Sequence, residues 1–210
     1  MYLTNEWYYY DSEINQKDCN KLKRIEKKHF ESALVHRHHE ITKKERVTGI
    51  NSDFGLNKKK RVSDVCWTTQ QWVYDLIWPY MISANEQGGW NFEVDAAESV
   101  QITRYKISGF YTWHSDGGSD CLSVYDTPDN SFLNGKVRKL SMSILLNDNY
   151  EGGELQIATT QKGKSEIQTP EFNKAGSVVV FPSFLEHRVL PVTKGTRYSL
   201  VAWFLGPPFK

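Results

Sequence analysis

The chain has 210 residues, with 26 Lys or Arg against 25 Asp or Glu and an aromatic share of 13%. That length suits one domain, 1–210, with a sizeable core, and the balanced charge gives no general basic field for nucleic acid. Cys19, Cys66 and Cys121 are odd in number and far apart, without a Cys-x-x-Cys pair, which argues against a zinc or redox pair and for a reduced, cytoplasmic setting.

The N-terminus lacks a basic segment followed by an apolar run, so no signal peptide is expected, and no apolar run approaches the ~18 residues of a membrane span. Residues 1–10 are aromatic and suit an edge strand. Ser12 can cap a helix reaching about Phe30, with Ile14, Leu22, Ile25 and His29 at near-helical spacing; such a helix is expected outside the core. His36, His38 and His39 then cluster in a polar stretch. They read as a solvated loop or helix end, because no partner ligands follow at a zinc spacing. Residues 49–64 have loop composition. Within them Lys58, Lys59, Lys60 and Arg61 form a basic run that is either simply solvated or a contact for an acidic partner.

Thr68 and Gln71 have the spacing of a capping box opening a second helix. Trp72, Val73, Leu76, Ile77, Tyr80, Met81 and Ala84 supply its buried face, and Pro79 predicts a kink or break. Gly88 and Gly89 end it. The part up to about residue 95 therefore reads as helical. From Glu98 the texture changes. Val100–Tyr105 and Leu140–Leu146 alternate, and short runs follow at Glu154–Ile157, Ser177–Phe181 and Tyr198–Leu205, separated by turn residues. This predicts an α+β fold whose core, about 96–206, is a two-sheet jelly roll behind supporting helices. The polar stretch 117–138 is long for a structureless loop and reads as a mobile flap hinged at Gly117 and Gly118.

The chemistry concentrates in the stretch ending Thr112-Trp113-His114-Ser115-Asp116, with His187 placed after a β-branched run. Two imidazoles and one carboxylate form the facial triad that suits non-haem Fe(II) with open positions. Ten residues after His187 stands Arg197, on a strand whose period places Arg197, Ser199, Val201 and Trp203 on one face. An arginine pointing inward needs a charged partner. Either a structural salt bridge supplies it, or a dicarboxylate co-substrate does through two parallel hydrogen bonds, with Ser199 adding a third.

These residues together resemble the iron(II) and 2-oxoglutarate dependent dioxygenases, in particular prolyl 4-hydroxylases of the bacterial and phage PKHD type. The resemblance covers about residues 60 to 206. It rests on Tyr105, on His114-x-Asp116, on the turn Tyr150-Glu151-Gly152-Gly153-Glu154-Leu155, on His187 and on Arg197, where many prolyl hydroxylases carry lysine. It implies a double-stranded β-helix. It also implies Fe(II) held by His114, Asp116 and His187, 2-oxoglutarate as co-substrate, dioxygen, and ascorbate as reductant. Tyr105 matches a tyrosine that touches 2-oxoglutarate, with a core tyrosine whose hydroxyl is satisfied as the alternative. Ser141 falls where the family has an inward threonine near the co-substrate. Trp203 matches an active-site tryptophan, or is a core aromatic. Trp113, Tyr111 and Arg138 are further candidates for the substrate side. The implied reaction couples oxidative decarboxylation of 2-oxoglutarate to hydroxylation of an unactivated C–H. The implied target is a prolyl residue of a peptide or protein, with another amino acid or a small molecule as the alternative. Nucleic-acid demethylases of this fold carry a second arginine six residues after the first; here that position is Trp203. A non-catalytic jelly-roll binding module is the reading from another class.

Overall fold

Strand parity in the second half of the chain decides which side chains meet between two sheets and which face the helices. The computed structural model describes residues 3, 5–25, 30–33, 35–36, 54–55, 57–116, 123–161 and 164–209. It begins with β1 (Tyr8–Tyr10), α1 (Gln16–Arg24), β2 (Glu31–Ser32), β3 (Val35–His36), β4 (Phe54–Gly55), β5 (Arg61–Val62) and β6 (Asp64–Thr68). Then come α2 (Gln71–Gln87), β7 (Ala96–Ala97), β8 (Val100–Tyr105), β9 (Phe110–His114), β10 (Val137–Leu145), β11 (Glu151–Gly152) and β12 (Leu155–Gln161). The last are β13 (Lys164–Gln168), β14 (Val178–Pro182), β15 (His187–Val189), β16 (Val192–Lys194) and β17 (Arg197–Gly206).

The larger sheet runs β1-β14-β10-β17-β8-β6-β2, with β7 also on β17, and the smaller runs β13-β12-β15-β9-β5. Small ribbons β11-β16 and β3-β4 complete the pairings. From β8 onward the chain passes repeatedly between the two sheets: β8, β10, β14 and β17 lie in one, β9, β12, β13 and β15 in the other. Antiparallel sheets threaded in this way form a jelly roll. The aromatic N-terminus is an edge strand, with Tyr8 opposite Val180 and Tyr10 opposite Val178. The part before residue 96 is not helical alone, since it adds β1, β2 and β6 to the larger sheet and β5 to the smaller.

Parity builds two cores. Val100, Ile102, Met142, Ile144, Val178, Val180, Leu200, Ala202 and Phe204 face outward from the larger sheet and pack with Cys19 and Leu22 of α1 and Val73, Ile77, Met81 and Ala84 of α2. Tyr105, Leu145, Val179 and Phe181 face the other way and meet Leu155, Ile157 and Val189 of the smaller sheet. Each fully buried aliphatic side chain contributes roughly 1.5–3 kcal/mol relative to exposure, so the helices are part of what holds the larger sheet. The expectation that the first helix lies outside the core fails for this reason: Cys19 and Leu22 are wholly buried.

Both predicted helix starts move. The cap of α1 is Asn15, whose side chain accepts from the Asp18 amide at 2.9 Å, while Ser12 sits at φ 55. The helix ends at Arg24 rather than near Phe30. Thr68 is the last residue of β6, and its hydroxyl accepts from the Gln70 amide at 3.3 Å instead of capping α2. Pairing with β8, where Thr68 faces Val100, claims the residue for the sheet. α2 continues through Pro79 without a break, its buried stripe outweighing the one lost backbone donor.

Of the stretch 117–138 expected as a flap, residues 123–138 are described, and hydrogen bonds give them local structure. The Tyr125 amide donates to the Lys136 carbonyl and the Gly135 amide to the Tyr125 carbonyl, both at 2.9 Å. Gly117, Gly118 and Cys121 lie outside the described residues, as do His38 and His39. Among the described residues no helix is long and apolar enough to cross a membrane.

Candidate active site

Sheet register brings the triad together. β15 pairs with β9 so that His187 lies directly opposite His114, and Asp116 follows two residues after β9 ends. The His187 Nε2 is 3.6 Å from Asp116 Oδ2, and the His114 Nε2 is 3.9 Å from Asp116 Oδ1. One ligand atom from each residue falls within 4.8 Å of the others.

Both rings are oriented from behind in the same way. His114 Nδ1 is 2.8 Å from the Thr112 carbonyl, and His187 Nδ1 is 3.0 Å from the Leu185 carbonyl. A carbonyl only accepts, so each Nδ1 carries a proton, and Nε2, turned toward Asp116, is the ring atom placed to ligate a metal. Burial and the neighbouring His187 push the His114 pKa down to about 3, which leaves that imidazole neutral and ready to ligate. Burial alone would raise the Asp116 carboxyl. Its surroundings outweigh this: His187, His114, the Arg138 guanidinium and the Ser141 hydroxyl together hold Asp116 at about 2. Two imidazole nitrogens beside an ionised carboxylate form the donor set a divalent cation requires.

The triad opens onto a cavity of about 950 Å³ between the sheets, bordered also by Tyr105, Arg138, Ser141, Arg197 and Trp203. Arg197 is 1% exposed. Its Nη1 donates to Ser199 Oγ at 3.0 Å, and Nε has no partner. Tyr105, directly opposite it in register, and Phe172 flank the guanidinium with ring centroids at 5.5 and 5.9 Å. Among the described residues no carboxylate pairs with it, so the structural salt bridge considered for Arg197 is not made there. A buried arginine with an unused donor fits an anionic group entering the cavity.

Ser141 also lies at the cavity wall, but its hydroxyl is engaged: it donates to Asp116 Oδ2 at 2.7 Å. Arg138 forms a two-pronged ion pair with Glu98 and stacks over Trp203, its guanidinium carbon 4.3 Å from the ring centroid. Tyr125 adds a hydrogen bond to the same Glu98 at 2.7 Å. Trp203 is 7% exposed, and its indole N–H has no partner. Lys60 and Arg61 of the basic run border the cavity too, with the Arg61 guanidinium 4.6 Å over Tyr111.

Two bulges reorder these walls. In β9, His114 pairs with His187 and Tyr111 with Val189, so Thr112 and Trp113 together face Arg188. Strict alternation would put Tyr111 and Trp113 on one face; the extra residue instead stacks Tyr111 on His114, with centroids 3.5 Å apart. Trp113 borders the cavity, but its ring packs under Arg188 at 4.6 Å. In β10 the register shifts between Arg138 and Leu140. That brings Arg138 and Ser141, three residues apart, to the same cavity.

Glu98, Tyr125, Phe172 and Ser183 were not anticipated from the sequence. Glu98 had one available signal: an inward Arg138 needs an acid. Glu98→Ala is expected to destabilise the fold by about 1–3 kcal/mol, because it strands a partly buried guanidinium. Urea unfolding measures this.

Comparisons with known proteins converge on the same stretch. The 2OG-Fe(II) oxygenase superfamily matches residues 100–205. A PKHD-type hydroxylase of Xylella fastidiosa (strain M12) is 38% identical over 105 residues, 49% of this chain and 42% of the relative. The chain thus matches less than half the length of that relative. A crystal structure of a Pseudomonas putida prolyl-4-hydroxylase superposes with TM-score 0.60 at 20% identity, over 96% of this chain and 92% of that one. The non-heme alpha ketoglutarate dependent carbocyclase SnoK of nogalamycin biosynthesis superposes with TM-score 0.62 at 10% identity, over 96% and 80%. At such identities the two structures carry the fold alone.

Proposed function

Because the chain belongs to the 2OG-Fe(II) oxygenase superfamily, we propose that it is an Fe(II)- and 2-oxoglutarate-dependent hydroxylase acting on a prolyl residue of a peptide or protein. The observation that carries the reading is Arg197, buried, with a free donor and no carboxylate partner among the described residues, in the same cavity as His114, Asp116 and His187. That combination suits a co-substrate with one carboxylate for the guanidinium and another for the metal.

In this reading His114, Asp116 and His187 hold Fe(II) through two Nε2 atoms and one carboxylate. Fe(II) with 2-oxoglutarate and dioxygen supplies the oxidising power for C–H hydroxylation, with succinate and carbon dioxide released. The protein's part is to bind, orient and exclude water. Arg197 and Ser199 grip the distal carboxylate, and Tyr105 and Phe172 shield it. Tyr111, stacked on His114, and Trp203, under Arg138, form aromatic walls against which an extended, proline-containing segment can lie. The hydroxylase name of the matched relative and the prolyl-4-hydroxylase of like fold support this target. A carbocyclase of like fold makes a small molecule the competing one.

Anaerobic Fe(II) titration followed by 2-oxoglutarate is expected to produce a metal-to-ligand charge-transfer band; a binding module would produce none. Succinate release, with ascorbate present, is then measured over proline-containing peptides, free proline and small molecules. Peptides are expected to stimulate it most. Stimulation by a small molecule alone would overturn the prolyl-peptide target and leave the chemistry standing.

A further inference from the structure

The short turn after β14 contacts Asp116, Ser141 and His187. Ser183 and Ser141 are both buried, at 0% and 1% exposure, and their hydroxyl oxygens lie 2.9 Å apart. Ser141 donates its proton to Asp116 Oδ2, so in the pair Ser183 must donate to Ser141. The Ser183 carbonyl also accepts from the Asp116 amide at 2.9 Å, and the Ser183 amide donates to the Lys139 carbonyl at 3.0 Å. Two residues on, the Leu185 carbonyl holds His187 Nδ1. The turn itself is closed by the Leu185 amide on the Pro182 carbonyl at 3.0 Å.

We infer that the turn Pro182–Leu185, acting with Ser141, is the bracket that sets the metal-binding geometry, and that Ser183 and Ser141 are positioning residues for the Asp116 carboxylate. This rests on the metal reading of the triad given above. A carboxylate whose Oδ2 is held by a hydroxyl is fixed in rotation, and its Oδ1 is the oxygen left free of that bond. One rigid turn thereby controls both the backbone and the side chain of Asp116 and the ring plane of His187. Strand alternation aims Ser141 at Asp116, and the bulge at Lys139 lies beside it, where the Lys139 carbonyl accepts from the Ser183 amide. Ser141 is thus assigned to the metal ligand rather than to the co-substrate.

The test titrates the protein anaerobically with Co(II), reading affinity and the d–d absorption bands, beside a thermal melt. Ser141→Ala is expected to weaken Co(II) binding by roughly 10- to 100-fold and to alter the bands, while the apparent KM for 2-oxoglutarate stays near that of the unaltered chain. Ser141→Thr, which keeps the hydroxyl, is expected to restore both. Ser183→Ala removes the donor behind Ser141 and is expected to shift the bands in the same direction with a smaller loss of affinity; it carries the test should Ser141→Ala fail to fold. Unchanged affinity and bands in a folded alanine variant would overturn the inference. So would a raised KM for 2-oxoglutarate with metal binding intact. Absence of Co(II) binding by the unaltered chain would instead overturn the metal reading itself.

Discussion

His187→Ala is expected to reduce 2-oxoglutarate-dependent succinate formation to background while leaving a cooperative melting transition. The imidazole supplies one of three converging ligand atoms, and two protein ligands hold a divalent cation poorly. Folding survives because neither hydrophobic core depends on this side chain: the inter-sheet cluster is built by Leu145, Leu155, Ile157, Val179 and Phe181, and β15 keeps its backbone pairing to β9 and β12. His114→Ala and Asp116→Ala are expected to behave alike. The assay is succinate release at saturating Fe(II), with circular dichroism as the folding control. More than a trace of activity in the His187 variant would remove it from the ligand set.

Arg197→Ala is expected to separate co-substrate binding from metal binding. Fe(II) or Co(II) affinity stays near its original value, since the guanidinium contacts Ser199 and no ligand residue. The apparent KM for 2-oxoglutarate rises steeply. Truncating one side of a buried charge pair costs roughly 2–5 kcal/mol, or about 30-fold to several thousand-fold. Arg197→Lys keeps the charge but loses the planar fork, so it is expected to fall between the two. An unaltered KM in the alanine variant would return Arg197 to a structural role.

Much of this was legible without coordinates, for a physical reason. Strand parity is local, so the inward set Arg197, Ser199, Val201 and Trp203 could be read from period two alone, and the turn residues marked where strands end. The aromatic edge strand and most of the later strands follow from the same pattern. What parity cannot reveal is an extra residue inside a strand, because a bulge is created by the partner's register. The bulge at Thr112–Trp113 is why Tyr111, rather than Trp113, stacks on His114.

The helix starts were misplaced for a related reason. Thr68 has the chemistry of a cap, but the neighbouring strand β8 claims it for the sheet, and tertiary pairing outranks a local hydrogen bond. Long-range partners were equally hidden. Nothing near Ser141 in sequence names Asp116 or Ser183 as its contacts, and nothing near Arg138 names Glu98. The sequence by itself determined the residue types of the site: the His-x-Asp pair, the distant His187, the arginine ten residues on, and a jelly-roll pattern able to carry them. Only the tertiary structure decided which groups satisfy one another. It left Arg197 buried without an acid among the described residues, gave Ser141 to Asp116, and gave Arg138 to Glu98. Those outcomes depend on strand register across the sheets, and register is a property of paired strands that no single stretch of chain contains.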